Sequence, residues 1–294
     1  VSIGSSILDF ESITAEEIRH DGGSYAGRVI QRCGGTGRNH AEAIGRLLDA
    51  AAAARASGDA ARSGSCSPVT LLSAVGCDAN GEHLMRTTAK YADVARVLRS
   101  PSAPTATHMS MNQKGNILFG ISCFEQILRE ITPDYIEANQ DVLIAADYIF
   151  CDANVPVPAL SKVLEIATFH KVKVWYEPTE LSISSKFLDS AFCSAISVIS
   201  PNISEFLPIL RKLGVDSDET LITSPAALLE LIQSLPPLLP HLDILMVTFD
   251  VQGSLIITKE IIVKFKVCDC AWGHAHIIPS PQVDEIVSVS GAGD

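Results

Sequence analysis

The sequence predicts an α/β fold with a mostly parallel central sheet, on three observations. Four apolar runs of strand length occur in the second half of the chain: LIAADYIFCD, VKVWYE, AISVIS and DILMVTF. Helix-length segments such as PALSKVLEIATFH and ISEFLPILRKLG lie between most of these runs. The length, 294 residues with 47 % hydrophobic side chains, is sufficient for one large core. Strands that alternate with helices form parallel sheets whose two faces are covered by helices.

The N-terminal part of the chain predicts further elements of the same layout. VSIGSSILDF predicts a buried first strand that ends in a polar turn, and VTLLSAVG predicts another strand. Between them, CGGTGRN predicts a glycine turn that leads into a helix. The apolar positions of that helix recur at helical spacing: Ala41, Ile44, Leu47 and Leu48. DANGEHLMRTTAKY is expected to begin the next helix.

Two segments interrupt this alternation and predict a small β lid. Residues 25–32 predict an edge strand, and ATHMSM and ILFGIS flank NQKGN, which is typical of a hairpin turn. We expect residues 10–32 and 104–122 to form the lid. Residues 50–67, rich in Ala, Gly, Ser and Arg, predict a helix tail and a variable surface loop that a short linker could replace.

Composition excludes several classes of protein. The net charge of −12 argues against a general nucleic-acid binder, which would show a basic face. No apolar run approaches the ~20 residues that span a bilayer, and no signal peptide opens the chain. Most of the eight cysteines lie in apolar runs and are expected to be small core residues rather than a disulfide framework. We therefore expect a soluble, cytoplasmic protein with no membrane partner.

Polar residues follow the predicted strands at the edge where ligands bind in an open α/β sheet. They are Asp9, Asp152, Glu177, Asn202 and Asp250. Turn chemistry also favours Asp and Asn at strand ends, so this pattern indicates a site without specifying it.

The last eight residues, VSVSGAGD, predict an anion site. Gly291, Ala292 and Gly293 permit a close approach of the backbone to a charged group, and amides in such a turn cradle anions. Asp294 beside them could accept a proton from an attacking hydroxyl while the cradle stabilises a transferring phosphoryl group. A plain glycine turn is the alternative explanation.

Four motifs together carry a family resemblance. SGAGD resembles the C-terminal signature of the PfkB (ribokinase-like) carbohydrate kinases, and CGGTGRN resembles their N-terminal glycine signature. SAVGCDANGEHL is similar to their VG-D-x-x-G turn, and SPNISEF to their N-x-x-E motif. The motifs occur in family order over nearly the whole chain. The resemblance implies a three-layer ribokinase-like fold with a β lid, and transfer of a phosphoryl group from ATP, with Mg²⁺, to a primary hydroxyl.

Further segments resemble the pseudouridine kinases within that family: SYAGRVIQRCGGTGRN, CDANVP and VWYEPTELSISSK. They imply the 5′-hydroxyl of pseudouridine as the acceptor. Another nucleoside or sugar, or a catalytically silent ligand-binding domain, remain the alternatives. Some relatives of this kind are fused behind a pseudouridine-5′-phosphate glycosidase, and a homodimer is also compatible with the family.

The resemblance implies roles for single residues. Asp294 would be the base, with residues 291–293 as the anion hole. The residues that would grip the sugar hydroxyls are Asp9, Gly35 and Asn39. The residues that would bind the nucleotide are Asn202, Thr248 and Gly253, and Glu205 would hold Mg²⁺. We expect Asp9, Asn39 and Asp294 to lie around one cleft. The alternatives are a strand-end turn residue for Asp9 and, for Glu205, an acid in the first turn of the helix after Asn202 that interacts favourably with the helix dipole.

Several features depart from the family pattern, including Ser288 before the GAGD turn and Cys123 in ISCF. Asp250, in TFDVQG, stands where the family has the first glycine of T-L-G-x-x-G, and a carboxylate there would repel polyphosphate. The chain also begins at Val1 and ends at GAGD. We expect residues 1–294 to be a kinase domain without its C-terminal part, with little activity until it is extended past Asp294.

A separate cluster, CDCAWGHAH, predicts a different kind of site. Its possible ligands are Cys268, Cys270, His274 and His276. Two thiols and two imidazoles could bind zinc. Both pairs are spaced i, i+2, however, which is equally the pattern of a strand–turn–strand with ordinary side chains.

Overall fold

The computed structural model describes residues 1–19, 22–56, 69–216, 220, 222–236, 238–259, 268–270 and 272–280, with only the backbone for 55, 56 and 268–270. Within these ranges the chain divides into two units. The first comprises Val1–Tyr135, and the second begins at Ile136 and is described as far as Ser280.

The first unit contains most of the short strands. Its elements are β1 (Ser2–Ile3), β2 (Ile7–Thr14), β3 (Arg28–Gly34), α1 (Thr36–Ala56), β4 (Leu71–Leu72), β5 (Ala74–Gly76), α2 (Ala79–Thr88), β6 (Leu98–Ser100), β7 (Ala106–Gln113), β8 (Asn116–Cys123) and α3 (Glu125–Leu128). The unit boundary falls within α4 (Pro133–Ala138). β1 pairs in parallel with β4, and β5 with β6.

A four-stranded sheet corresponds to the predicted lid segments, and we call it the small sheet. Its order is β3-β2-β7-β8, with β2 and β7 parallel and the other pairs antiparallel. The turn between β7 and β8 has positive φ at Lys114 (53°) and Gly115 (91°), which matches the twist of a tight hairpin. The predicted hairpin is therefore confirmed, and β3 is an edge strand as expected, shifted to Arg28–Gly34.

The prediction of one strand over VSIGSSILDF is wrong. Gly4 has a φ of 157°, and the chain turns there between β1 and β2, which belong to different sheets. Asp9 is consequently the third residue of β2, opposite Arg32 and His108, and does not follow a strand. VTLLSAVG is divided in the same way at Ser73, whose Oγ donates to the Gly4 carbonyl at 2.6 Å.

The predicted helix after the glycine turn is confirmed as α1, but half of its expected apolar face is exposed. Ala41 lies in a buried cluster with Leu8, and Ile44 packs against that cluster. Leu47 and Leu48 are 69 % and 42 % exposed. The helix ends at Ala56, and the rest of the predicted variable loop lies outside the described residues.

The second unit contains the strands of the parallel sheet. Its elements are α5 (Gln140–Ile144), β9 (Tyr148–Asp152), α6 (Val157–His170), β10 (Lys173–Glu177), β11 (Ile196–Ile199), α7 (Ile203–Lys212), α8 (Pro225–Gln233), β12 (Ile244–Thr248), β13 (Ser254–Thr258), β14 (Cys268–Cys270) and β15 (Gly273–Ile278). The strand order is β14-β15-β13-β12-β11-β10-β9. The four strands β9 to β12 are parallel, as the four apolar runs predicted. Helix α6 contacts β10, α7 contacts β12, and α8 contacts β13 and β15.

The CDCAWGHAH segment forms the antiparallel pair β14–β15. The strand–turn–strand alternative is thus confirmed for the backbone. The side chains of Cys268 and Cys270 lie outside the described part of the chain, so the zinc site stays a hypothesis.

The cysteines with described side chains are all free thiols. Cys151 is buried, but Cys77 and Cys123 are exposed, so the expectation of core positions is wrong for these two. Among the helices of the described residues, none combines the length and apolar character needed to cross a membrane.

Candidate active site

The turn from β3 into α1 brings two predicted substrate residues together. A Cβ atom at Gly34 would lie 1.9 Å from Oδ2 of Asp9, so the carboxylate lies directly against this glycine. At Gly35 φ is +91°, and a Cβ atom would lie 2.5 Å from the Ser5 carbonyl oxygen. At Gly35 only glycine fits, because the positive φ and the backbone contact both exclude a side chain, whereas a side chain at Gly34 would displace the Asp9 carboxylate.

Asn39 adjoins the same turn. Its backbone N–H donates to the Gly35 carbonyl at 2.8 Å, and that of Arg38 donates to the Ser5 carbonyl at 3.0 Å. Asp9, Gly35 and Asn39 thus surround one turn of the first unit. We call this group the substrate corner.

Arg38 supports the substrate corner and was not among the predicted site residues. Its side chain is almost fully buried and donates through Nε to the Gly34 carbonyl at 3.0 Å. It also donates to the Cys33 carbonyl at 2.8 Å and to Oδ1 of Asn39, and it forms an ion pair with Glu42. The i, i+4 spacing of Arg38 and Glu42 was the available signal in the sequence.

In the second unit, the predicted nucleotide and metal residues meet at the start of α7. Oδ1 of Asn202 accepts from the backbone N–H of Glu205 at 2.9 Å, and Oε2 of Glu205 accepts from the backbone N–H of Asn202 at 2.9 Å. This is a reciprocal capping box. Burial raises the pKa of Glu205, against the hydrogen bonds from Asn202 that lower it. Glu205 is thus an acid in the first turn of a helix, as its alternative explanation expected, and it also caps that helix.

Thr248 joins the same group, which we call the α7 site. Its backbone N–H donates to the Pro201 carbonyl at 3.1 Å, and Asn202 and Thr248 form a parallel bridge. Asn202 and Thr248 are exposed, while Glu205 is buried behind them. The bridge follows from the parallel pairing of β11 and β12, whose carboxyl ends meet at one edge.

Glu177 lies beside the α7 site and was noted from the sequence only as a strand-end acid. The Ser200 hydroxyl donates to Oε2 of Glu177 at 2.5 Å and accepts from the Trp175 indole N–H at 2.7 Å. Burial, with smaller effects from Glu205 and Asp152, raises the pKa of Glu177 to about 7. Ser200 lies 23 residues further along the chain, so no local pattern could have shown this network.

The turn after β12 contains Asp250 and Gly253. Asp250 has a φ of 49°, in the left-handed region where glycine is favoured, which matches the glycine of the family pattern. Gly253 has a φ of +92°, and a Cβ atom there would lie 2.1 Å from the Ile278 carbonyl oxygen. Gly253 is thus required by contact with the end of β15, independently of any nucleotide.

The α7 site suits a hydrated Mg²⁺–phosphate group. Mg²⁺ is usually held through one or two carboxylates together with phosphate oxygens and water. Glu205 caps the helix through Oε2 and has Oε1 as a second ligand atom, at a helix N-terminus that attracts phosphate. Within the described ranges, no three His, Cys, Asp or Glu side chains are grouped so as to hold a metal ion alone. The predicted catalytic residues lie outside the described residues: Gly291, Ala292, Gly293 and Asp294.

An open parallel sheet with a capped helix N-terminus and acidic side chains at its strand ends can bind a phosphorylated ligand, as many α/β enzymes do. The model of the pfkB family of carbohydrate kinases matches residues 1–294. The chain belongs to the PfkB family of carbohydrate kinases. It is therefore a phosphotransferase that acts on a hydroxyl group, and kinases of this family use ATP with Mg²⁺.

Three proteins illustrate the similarity. Ribokinase from Staphylococcus aureus (strain COL) is 22 % identical over 262 residues, covering 88 % of this chain and 75 % of that protein. Pseudouridine kinase from Arabidopsis thaliana is 23 % identical over 99 residues, covering 34 % of this chain and 26 % of that protein. The structure of Arabidopsis thaliana ribokinase complexed with ribose and ATP has a TM-score of 0.69 at 16 % identity, covering 99 % of this chain and 80 % of that one. The predicted ribokinase-like fold is confirmed.

Proposed function

We propose that the chain phosphorylates the 5′-hydroxyl of a nucleoside, with pseudouridine as the substrate. The observation that carries this proposal is the substrate corner, where a carboxylate and an amide adjoin one glycine turn. A carboxylate accepts hydrogen bonds from two vicinal hydroxyls, each worth about 1.5–3 kcal/mol when charge-assisted. The partial similarity to a pseudouridine kinase supports the choice of nucleoside.

The α7 site would hold the other substrate. In this proposal Glu205 binds Mg²⁺, while Asn202 and Thr248 contact the phosphates of ATP. Gly253 is assigned to the nucleotide site because of the family motif, in addition to its packing against the end of β15. Asp294 would take the proton from the 5′-hydroxyl as the phosphoryl group leaves ATP, and the backbone of residues 291–293 would stabilise the transferring charge.

A substrate panel tests the proposal. The full-length natural protein would be assayed with ATP and Mg²⁺ against pseudouridine, uridine and ribose, and kcat/KM compared. We expect pseudouridine to be preferred and Asp294→Asn to abolish turnover. Full activity of the Asn variant would remove Asp294 as the base, and a preference for ribose would overturn the nucleoside assignment.

Ribose is the second candidate, because the similarity to a ribokinase extends over 262 residues whereas that to a pseudouridine kinase covers 99. Pseudouridine carries a base that ribose lacks, so an inhibition assay, in which pseudouridine competes with ribose turnover, distinguishes the two candidate substrates. If ribose is the true acceptor, pseudouridine should inhibit weakly and should not be phosphorylated.

We also propose a homodimer that packs two small sheets face to face. Met109 lies opposite Ile121, and Met111 opposite Phe119, on one face of the small sheet. Val29 shares that face through Ser12, and Val29, Met109, Phe119 and Ile121 are each more than half exposed. A contiguous apolar face of this kind marks an interaction surface. Ile121→Lys should convert a dimer to a monomer in light scattering.

Fusion to a pseudouridine-5′-phosphate glycosidase domain remains part of the proposal. Sequencing the full reading frame of the natural protein tests it.

A further inference from the structure

The guanidinium of Arg38 is buried and has acceptors on every side. The residue is 4 % exposed. Its acceptors are the carbonyls of Cys33 and Gly34, the carboxylate of Glu42 and the side-chain oxygen of Asn39. Two of these acceptors are the last carbonyls of β3, and the other two are on α1. One side chain thus joins both arms of the turn that carries the substrate corner.

The contact with Arg38 determines how the Asn39 amide is oriented. A guanidinium has donors and no acceptor, so the Asn39 atom that meets it must be the oxygen. The other end of the amide, Nδ2, is then a donor. Asp9, on the other side of the turn, offers a carboxylate that only accepts. A hydroxyl group that donates to Asp9 and accepts from Asn39 has the matching polarity.

We propose that Arg38 is a positioning residue that holds Asn39 with its amide N–H group toward the substrate hydroxyls. This rests on the proposed function, because it assumes that Asn39 contacts the nucleoside. Without Arg38, the amide of Asn39 is free to rotate and present its oxygen, which repels an acceptor. Lysine is not an adequate replacement, because a point-like ammonium cannot reach acceptors spread in a fork.

A second arginine provides a matched control. Arg46 pairs with the same Glu42 carboxylate from the following turn of α1, at 2.6 Å, and stacks over the Tyr91 ring at 4.0 Å. Its side chain is 56 % exposed, whereas that of Arg38 is buried. Loss of an ion pair with Glu42 is therefore common to both arginines, whereas contact with Asn39 belongs to Arg38.

The experiment is a double-mutant cycle in the full-length protein, with Arg38→Met, Asn39→Ala and the double variant. KM for pseudouridine and KM for ATP are measured separately, and thermal melts identify any variant that fails to fold. Asn39→Ala should raise KM for pseudouridine by about 10-fold, the factor for one lost hydrogen bond. Arg38→Met should raise it similarly, and the double variant should remain near 10-fold because Arg38 acts through Asn39.

The other measurements test whether the effect is specific to the nucleoside and to Arg38. KM for ATP should stay within about 2-fold throughout, and Arg46→Met should leave both KM values unchanged. Arg38→Lys is the substitute if Arg38→Met does not fold, and it should also raise KM for pseudouridine. A double variant near 100-fold, or an equal effect of Arg46→Met, overturns the positioning role while leaving the proposed function intact. If Asn39→Ala has no effect, the inference fails; an effect of Asp9→Asn in the same assay would show that the proposed function survives.

Discussion

Glu177 makes stability depend on pH in a direction opposite to that of most surface acids. Burial raises the pKa of this carboxyl from the ordinary 4.5 to about 7. The folded state therefore holds the proton more tightly than the unfolded chain does. Its contribution to stability is fully present below pH 4.5 and is lost as pH rises through about 7. At about 1.4 kcal/mol for each tenfold change in proton affinity, the loss amounts to about 3 kcal/mol.

Glu177→Gln removes this dependence while it keeps an acceptor for the Ser200 hydroxyl. Urea unfolding of the variant should match the wild type at pH 4.5 and exceed its stability at pH 8 by up to about 3 kcal/mol. Glu180→Gln is the control, since Glu180 also accepts from a serine hydroxyl, at 2.9 Å from Ser182, but is exposed. The control should change stability by less than about 0.5 kcal/mol. A Glu177→Gln protein no more stable than wild type at pH 8 would refute the reasoning.

Two further predictions concern the first unit. Asp78 caps α2 through Gly81 and accepts twice from Thr105; although burial raises its pKa, these hydrogen bonds lower it overall. Asp78→Ala should cost about 1–3 kcal/mol in urea unfolding at pH 7, and the difference should shrink as pH falls below about 4. Asp78→Asn should cost less, because it keeps one acceptor oxygen; a loss of less than about 0.5 kcal/mol for Asp78→Ala would contradict the capping role. Gly45→Ala would ordinarily stabilise a helix by about 1 kcal/mol, but a Cβ atom there would lie 2.1 Å from the Tyr91 carbonyl. The variant should instead unfold at lower urea, and a gain in stability would show that α1 shifts easily.

The parallel strands could be predicted because both of their faces are covered. β9 to β12 are continuous apolar runs, and no alternation was needed to locate them. The prediction of one strand over the N-terminal run was wrong because burial on both sides of Gly4 hid the change of sheet. Hydrophobicity continues through VSIGSSILDF although the chain changes sheets at Gly4, and Ser5 and Ser6 are buried rather than in a solvent-exposed turn. Composition alone does not distinguish a buried sheet crossing from a strand.

Some residues of the candidate site could likewise be predicted from the sequence, and others could not. Asn202 and Glu205 could be paired from the sequence because N-x-x-E is a local motif, and in the structure the two residues form a capping box. For Arg38 the sequence offered only the i, i+4 spacing from Glu42, and for the Glu177–Ser200 contact it offered nothing, because the other partners are backbone carbonyls and a serine far along the chain. Carbonyl acceptors have no residue identity, and therefore a sequence does not show which side chain will reach them.

At position 250 the backbone suits the glycine of the family pattern, but the residue is Asp, and two variants separate the effect of its charge from that of its backbone strain. Its φ of 49° is a conformation that Asp tolerates at some cost, and its exposed carboxylate stands where the family motif approaches the nucleotide phosphates. At about 5 Å in water, one extra charge opposes a phosphate charge by about 1 kcal/mol, or about fivefold in KM for ATP. Asp250→Asn removes the charge and keeps a residue suited to this backbone, whereas Asp250→Gly removes both the charge and the strain. If repulsion dominates, both variants should lower KM for ATP by about fivefold. An effect of Gly alone would assign the cost to the backbone, and no effect of either would show that this carboxylate points away from the phosphates.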